Sequence, residues 1–214
     1  MTDVIIIDRG LEPYEHTHRA MQEQVALLKG GARAELWCVQ HPQVFTQGQA
    51  GKAEHVLNPG DIPIVQSDRG GQVTYHGPGQ VILYTLIPMK HFALNVRELV
   101  SLLENTVIAL LGSYGLSSQA RADAPGVYVE GRKIASLGLR IRHGVSYHGV
   151  ALNVSMDLEP FSRINPCGYE GLQVTQLSDL ASNVVVTDVA DQLSQSFQIE
   201  LLDLAGHRVA GKSQ

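Results

Sequence analysis

The stretch Arg69-Gly-Gly-Gln-Val-Thr-Tyr-His-Gly-Pro-Gly-Gln80 combines four glycines, a proline, an arginine and a histidine. It lies between two apolar segments, 62–65 and 81–87, whose composition is typical of β-strands. Glycine permits positive φ angles and lets backbone amides approach a ligand closely. We therefore interpret this stretch as a substrate-holding loop that strands fix at both ends. Within it, Gly77-Pro78-Gly79 predicts a tight turn.

A plain strand connection without a ligand is the alternative interpretation of this stretch. Two residues suffice to join neighbouring strands, whereas this connection also carries Arg69, Gln72, Thr74, Tyr75 and His76. The extra length favours a binding function. A phosphate cradle is disfavoured, because no Gly-Lys-Ser/Thr sequence follows and no third glycine opens a helix.

The composition predicts an ordinary globular protein. The 214 residues are 44% hydrophobic and 17% charged, which predicts one domain over residues 1–214. The formal net charge of −5 argues against broad affinity for nucleic acid or anionic membrane. The two cysteines, Cys38 and Cys167, lie far apart in the sequence, which favours a reducing compartment. No apolar run approaches the roughly 20 residues that span a bilayer, so we expect a cytoplasmic protein, and we expect a monomer.

Local patterns predict an α+β fold in which a mixed β-sheet packs against helices. The predicted strands are residues 4–7, 35–40, 127–129, 134–139 and 148–154, with 41–48 as a loop. A first helix follows Pro13 and ends at Gly30-Gly31, and a second runs from an Asn95 N-cap with Glu98 to Gly115. A last helix is predicted from a Thr187 N-cap.

Two histidines of the first helix raise the question of a metal site. His16 and His18 face different ways on a helix, and no nearby cysteine or carboxylate cluster completes a ligand set. We therefore predict that both are solvated and that the protein has no metal site. Cys38, between Trp37 and Val39, is predicted to be a buried and inert thiol.

Cys167 lies in a different setting, because Pro166 and Gly168 place it in a loop where a substrate can reach it. A thiol needs a nearby base or positive charge to react at neutral pH. The candidates are His76, His148, Lys133 and Arg163, and the sequence leaves this choice open. Lys133 lies in a predicted hairpin, where solvent exposure is the usual outcome. The following Ser136-Leu137-Gly138 places a glycine inside a strand, which often marks close approach of a ligand.

Four separated motifs together resemble the lipoyl(octanoyl) transferase family. They are Arg69 to Gln80, Gly131-Arg-Lys-Ile-Ala-Ser-Leu-Gly138, His148-Gly-Val-Ala-Leu-Asn153 and Asn165-Pro-Cys-Gly168. They occur in the family's order, and with the His41-Pro42 loop the resemblance covers roughly residues 4 to 200. Cys38 and Gln47 depart from it, at places where apolar residues are expected. The resemblance implies the fold shared with lipoate and biotin protein ligases and with class II aminoacyl-tRNA synthetases.

The resemblance also implies an acyltransferase that moves an octanoyl group from octanoyl-acyl carrier protein to a lysine of a lipoyl domain. The implied acceptors are the lipoyl domains of 2-oxoacid dehydrogenases and the glycine cleavage H protein. Cys167 is the implied thioester nucleophile, and Lys133 lowers its pKa and exchanges its proton. The implied pocket residues are Arg69, Gly70, Gly71, Gln72, Val73, Thr74, Tyr75, His76, Ser136, Leu137, Gly138, Gly149, Val150 and Ala151. No ATP, metal or other cofactor is required.

Two other functions remain open from the sequence. A lipoate or biotin protein ligase would also use a glycine-rich loop and a lysine, but it would depend on ATP and have no need of Cys167. A non-catalytic relative would bind acylated or lipoylated domains without reacting with them. For the transferase, we further expect an acidic carrier protein to dock on a basic rim formed by Arg140, Arg142 or Arg163.

Overall fold

The computed structural model describes residues 3–210, except for the side chains of Cys167 and of residues 207–210. Ten strands lie within the described residues. They are β1 (Asp3–Leu11), β2 (Arg33–Gln40), β3 (Val44–Gln47), β4 (Ile64–Gln66), β5 (Val73–His76), β6 (Gln80–Leu86), β7 (Gln119–Ala120), β8 (Gly126–Val129), β9 (Arg132–Arg142) and β10 (Val145–Asn153). The α-helices of the same region are α1 (Tyr14–Leu28), α2 (Val96–Ser113) and α3 (Val186–Ala210). Short 3-10 helices interrupt the loops, among them Pro166–Gly168.

The larger sheet has the strand order β1-β2-β6-β10-β9-β8-β7. β1 and β2 run parallel, whereas β2, β6, β10, β9 and β8 pair antiparallel along the series. The predicted α+β fold with a mixed sheet is therefore confirmed. The strands carry small or apolar residues at most positions because helices or loops cover both faces of the sheet.

The smaller sheet has the order β4-β3-β5 and corrects two predictions. Residues 44–47 were expected in a loop, and residues 73–76 were expected within the glycine-rich loop, yet both segments are strands and pair antiparallel. Val73, Thr74 and Tyr75 have high β-propensity, and their pairing with Val44–Gln47 gives them a partner that a local pattern does not reveal. The tight turn at 77–79 is confirmed, since the Gln80 amide donates to the Gly77 carbonyl over 3.1 Å.

The helices follow from their patterns. α1 buries Tyr14, Met21, Val25 and Leu28 at helical spacing. α2 begins with the predicted capping box, in which the Asn95 side chain and Glu98 satisfy each other's backbone amides. The predicted Thr187 cap is wrong by position, because α3 already begins at Val186 and Thr187 lies in its first turn.

Two apolar cores lie on opposite faces of the large sheet. On one face α2 and α3 pack through Leu99, Leu103 and Phe197 against the sheet. On the other face α1 packs against Trp37, Val39 and neighbouring strand residues. The small sheet meets α1 on this second face, where the Tyr14 ring stacks on His76 of β5. A cavity lies between the two sheets.

None of the helices in residues 3–210 combines the length and the apolar character needed to cross a bilayer.

Candidate active site

The cavity between the sheets brings together most of the pocket residues expected from the sequence. Twelve of the fourteen line it, namely 69, 71–74, 76, 136–138 and 149–151. Gly70 lies in an adjoining groove, where its amide donates to the Leu139 carbonyl over 3.0 Å. Tyr75 faces away from the cavity, because its ring packs against Phe45 and Phe161. The cavity is mainly apolar, as an acyl chain requires.

Small residues form the floor of this cavity. The strand register places Ser136 beside Ala151 and Ile82, and the next row contains Gly138, Gly149 and Tyr84. A Cβ at Gly149 would collide with the Leu83 carbonyl of β6, and a Cβ at Gly138 would lie 3.2 Å from Arg69 Cδ. Glycine at position 149 therefore lets β10 pair closely with β6, and glycine at position 138 lets the 69–71 segment approach β9.

The Arg69 side chain links the glycine-rich segment to β3 by hydrogen bonds. It is 8% exposed, and its Nη2 donates to the Thr46 carbonyl over 2.6 Å and to Thr46 Oγ1 over 2.9 Å. Its Nη1 donates to the Gly70 carbonyl over 2.9 Å. These bonds fix the cavity wall, since planar guanidinium donors hold several acceptors in one geometry.

His76 has a hydrogen-bond partner at each ring nitrogen. Its Nδ1 donates to Gln80 Oε1 over 2.7 Å, so Nε2 is the acceptor that faces the Thr46 hydroxyl over 3.2 Å. Burial lowers the pKa of His76 well below its ordinary value, and the nearby His41 lowers it further. His76 is thus a neutral residue that joins strands, and its ring nitrogens are occupied.

The hydrogen bonds continue from His76 towards Lys133. Gln80 Nε2 donates to Asn153 Oδ1 over 2.9 Å, and Asn153 Nδ2 donates to the Thr175 carbonyl over 3.0 Å. The Thr175 amide in turn donates to the Lys133 carbonyl over 2.9 Å. The glycine-rich stretch and the strand that carries Lys133 therefore belong to one hydrogen-bonded framework.

Lys133 is buried, which corrects the expectation of solvent exposure for a hairpin lysine. It is 2% exposed, and its Nζ donates to the Pro125 carbonyl over 3.0 Å. Its ammonium also lies 5.5 Å from the centre of the Tyr128 ring. The segment 173–175 covers the hairpin by pairing with Lys133 at Val174. Burying an ammonium is costly, so a lysine in this position is a candidate for chemistry.

Cys167 belongs to the short 3-10 helix Pro166–Gly168, and its side chain lies outside the described part of the structure. This helix lies next to the cavity wall, because a Cβ added to Gly168 would come within 3.3 Å of Gln72 Cγ. The Asn165 amide donates to the His55 carbonyl over 2.8 Å, which ties the segment to the loop after β3. The chain thus brings the backbone of Cys167 to the cavity.

The other proposed partners of the Cys167 thiol are engaged elsewhere. His148 Nε2 hydrogen-bonds Asp68 over 2.9 Å, and Arg163 pairs with Glu159 over 2.6 Å. This pairing also balances the charge of Arg163, one of the three residues expected in a basic rim. Arg140 hydrogen-bonds the uncharged Gln49 over 2.7 Å, and Arg142 is exposed.

The prediction for His18 is wrong, whereas that for His16 is confirmed. The His16 side chain is exposed, but His18 is mostly covered and its Nε2 hydrogen-bonds Asp68 Oδ1 over 2.8 Å. His18, Asp68 and His148 place three potential metal-ligand atoms within 4.8 Å of one another. The partner of His18 lies 50 residues away in sequence, so the pattern of α1 alone does not reveal it.

A model of the lipoyl protein ligase A/B catalytic domain family matches residues 14–198. The chain belongs to this family. An octanoyltransferase of Pseudomonas putida (strain W619) is 60% identical over 184 residues, which is 86% of each chain. An octanoyltransferase of Yersinia pestis (strain Pestoides F) is 56% identical over 198 residues, which is 92% of this chain and 85% of the relative. A solved lipoate-protein ligase A bound with ATP superposes with a TM-score of 0.73 at 16% identity, over 94% of this chain and 85% of the ligase.

Four further residues line the cavity that sequence reasoning did not assign to the pocket. They are Tyr14, Ile82, Tyr84 and His148. The Tyr14 hydroxyl meets Ser67 Oγ over 2.6 Å, and burial raises the pKa of Tyr14 to about 12. The Tyr84 hydroxyl donates to His41 Nε2 over 2.8 Å, since His41 Nδ1 donates to the Glu12 carbonyl. With their polar atoms paired, these aromatic residues can present ring faces to an apolar ligand.

As predicted, Cys38 is a buried thiol. It is a free cysteine under α3, and burial raises its pKa to about 11. Such a thiol stays protonated and unreactive at neutral pH.

A test of the Lys133 environment comes from Gly126, the first residue of β8, which lies beside the lysine side chain. A Cβ at Gly126 would lie 2.5 Å from Lys133 Cε and 2.5 Å from the Ala135 carbonyl, so Gly126→Ala should displace the lysine. With the acid and base role that the family resemblance implies for Lys133, we expect the acyl transfer rate to fall by about 10²-fold in this variant, because misplacing such a group removes most of its effect. Steady-state kinetics of the purified variant measures this.

The matched control is Gly131→Ala in the same hairpin. Gly131 also has a positive φ, of +80°, but no atom lies within 4 Å of the position that a Cβ would take there. This variant should lose about 1–2 kcal/mol of stability and keep its transfer rate. Equal losses of rate in the two variants would mean that backbone strain, and not displacement of Lys133, is responsible.

Proposed function

We propose that this chain is an octanoyltransferase that moves an octanoyl group from acyl carrier protein to a lysine of a lipoyl domain through a thioester on Cys167. The observation that carries the proposal is the buried Lys133 ammonium in a framework that also holds an apolar cavity and the Pro166–Gly168 segment. Relatives at 56% and 60% identity that are named octanoyltransferases support the same reaction. Arg69 to His76, Ser136 to Gly138 and Gly149 to Ala151 belong to the proposed substrate site.

The first half of the reaction loads the enzyme. The positive charge of Lys133 favours the thiolate of Cys167, because an opposite charge nearby stabilises the ionised thiol. The thiolate attacks the carbonyl carbon of the octanoyl thioester, and backbone amides of the 69–72 segment and the 3-10 helix are suitable donors to the oxyanion. The new S–C bond forms as the carrier's C–S bond breaks. Lys133 protonates the departing carrier thiolate and becomes neutral.

The second half transfers the acyl group. The amine of the acceptor lysine attacks the Cys167 thioester, and neutral Lys133 takes up the proton that the amine releases. The C–N bond forms, the C–S bond breaks, and the enzyme returns as thiolate with protonated Lys133. The two halves make a ping-pong transfer. It requires no ATP, metal or other cofactor, since the octanoyl group is already activated as a thioester in the donor.

The proposed donor is octanoyl-acyl carrier protein. The proposed acceptors are lipoyl domains of 2-oxoacid dehydrogenases and the glycine cleavage H protein. We expect a monomeric enzyme whose residues 1–214 form one catalytic domain. We also expect it in the cytoplasm, where the two cysteines stay reduced.

Intact mass measurement tests the proposal directly. The wild-type protein and Cys167→Ser are each incubated with octanoyl-acyl carrier protein in the absence of ATP. Wild type should gain one octanoyl group that hydroxylamine removes, and should pass it to an added lipoyl domain. The serine variant should form no thioester. A wild type that remains unmodified, and that acylates the domain only when octanoate and ATP are supplied, would instead be a ligase.

A further inference from the structure

Asp68 collects four hydrogen-bond donors from two elements beside the cavity. Its Oδ1 accepts from His18 Nε2 over 2.8 Å and from His148 Nε2 over 2.9 Å. Its Oδ2 accepts from Gln22 Nε2 over 3.2 Å and from the Tyr147 hydroxyl. The carboxylate therefore ties α1 to β10 at the residue that precedes Arg69. Four charge-assisted bonds on one carboxylate make a rigid junction.

His148 has an unusual backbone for the interior of a strand. Its φ is +60°, a left-handed conformation that costs a residue with a Cβ on the order of 1–2 kcal/mol. The consequence is that His148 and Tyr147 both reach Asp68, with their rings stacked at 4.9 Å, although neighbours on a strand normally point to opposite faces. Strain of this kind persists only where the surroundings enforce it, and here Asp68 holds the ring while the Thr85 hydroxyl donates to the His148 carbonyl over 3.3 Å.

The charge states fit this geometry. Burial alone would raise the pKa of Asp68, but hydrogen bonds from His148, Tyr147 and His18 outweigh it and hold that pKa well below its ordinary range. Burial lowers the pKa of His148 to about 4, against the opposing pull of Asp68. At neutral pH an ionised Asp68 thus accepts from a neutral His148. Nδ1 of this ring has no partner among the described residues, so Asp68 is the polar anchor of the ring there.

The strand register places His148 three residues along the sheet from the row that lies beside Lys133. The Lys133 ammonium lies beside Gly126, which pairs with Ser136, whereas His148 pairs with Leu139. The distance along β9 from Ser136 to Leu139 is three residues, or about 10 Å. This span is comparable to an extended eight-carbon chain. His148 is 1% exposed and lines the cavity together with Gly138 and Gly149 of the preceding row.

We propose that His148 is a specificity-determining residue that closes the acyl pocket behind an eight-carbon chain, and that Asp68 is the positioning residue that holds it there. The proposal rests on the assignment of the cavity as the acyl pocket. It predicts that weakening the Asp68–His148 junction changes which chain length is preferred, in addition to the overall rate.

His148→Asn is the decisive variant. Asparagine tolerates a positive φ and is shorter than histidine, so the backbone of β10 should be kept while the inner end of the pocket opens. The kcat/KM values for acyl carrier protein loaded with six-, eight-, ten- and twelve-carbon chains are compared. We expect the ratio of the ten-carbon to the eight-carbon value to rise about tenfold, since a pocket discriminates by at least this factor per misfitting methylene.

Two further variants separate positioning from general stability. Asp68→Asn keeps the side-chain volume but weakens the hold on His148, and should raise the same ratio by a smaller factor. Tyr147→Phe removes one donor from Asp68 but keeps the ring that stacks on His148 and the Asp68–His148 bond, and should leave the ratio unchanged. A His148→Asn variant that lowers kcat/KM equally for every chain length would overturn the proposal. A wild-type protein that transfers none of the acyl chains would refute the assignment of the cavity as the acyl pocket. That result is distinct from an unchanged chain-length preference in His148→Asn.

Discussion

We expect Lys133→Met to lower the rate of octanoyl transfer by about 10² to 10⁴-fold, the usual contribution of a general acid and base. In the proposed mechanism, the variant removes both the positive charge offered to the Cys167 thiol and the group that gives and takes the proton. Methionine fills a similar volume and carries no charge to desolvate. The unfolding free energy should therefore stay within about 2 kcal/mol of the wild-type value. Transfer kinetics and urea unfolding of the same preparation measure both quantities.

The neighbouring arginine supplies the control for this prediction. Arg132 is half-buried, with a side chain that is 37% exposed and pairs with Glu130 over 3.0 Å. A surface pair of this kind is worth about 0–1 kcal/mol, so Arg132→Met should keep both its stability and its transfer rate. A Lys133→Met enzyme that transfers at the wild-type rate would show that the buried ammonium is structural. A variant that is inactive only because it is unfolded would be recognised by its urea midpoint.

The burial of Lys133 illustrates what the local sequence could not predict. The hairpin itself was predictable, because Glu130-Gly131 forms the turn between two strands of suitable composition. The cover over Lys133 comes from residues 173–175, some 40 positions later in the chain. Such long-range pairing depends on the whole fold, so a hairpin lysine shows no local sign of its environment.

For the fold and the pocket too, local sequence features could be predicted, whereas features set by long-range packing could not. Helical spacing in α1 and the Asn95 and Glu98 capping box are local signals, and both predictions are confirmed. The glycine-rich motif likewise identified one wall of the cavity, since glycines mark close approach of chains. Tyr14 and Tyr84 reach the cavity through the packing of α1 and the register of β6, which no single motif encodes.

Histidine protonation should make the protein sensitive to acid. His41, His76 and His148 are buried, and burial lowers the pKa values of His41 and His148 to about 4 and that of His76 well below 6.5. In the unfolded chain each titrates near 6.5. As the pH falls through 6.5, the unfolded state therefore binds protons that the native state does not bind. The stability these residues contribute is present above 6.5 and is lost as the pH approaches 4.

The size of this effect follows from the number of groups. With three histidines that protonate only on unfolding, the unfolding free energy should fall by up to about 4 kcal/mol per pH unit within this window. The midpoint of thermal unfolding should drop steeply between pH 6.5 and 5, and calorimetry in buffers of different ionisation enthalpy should detect the accompanying proton uptake. The low pKa of Asp68 adds a further loss of stability only below about pH 4. In that range the Asp68 carboxylate becomes protonated in the unfolded chain but stays ionised in the native state.

Substituting an exposed histidine tests whether the pH dependence of stability comes from the buried histidines. The His16 side chain is exposed on α1, so His16→Ala should reproduce the wild-type dependence on pH. His41→Gln keeps an amide that can bond the Glu12 carbonyl and the Tyr84 hydroxyl, and should reduce the steepness by about one third, because one of three titrating groups is removed. A wild-type melting temperature that is constant from pH 7 to 5 would mean that these three histidines can be protonated without unfolding. The buried network would then have to open locally while the rest of the fold stays intact.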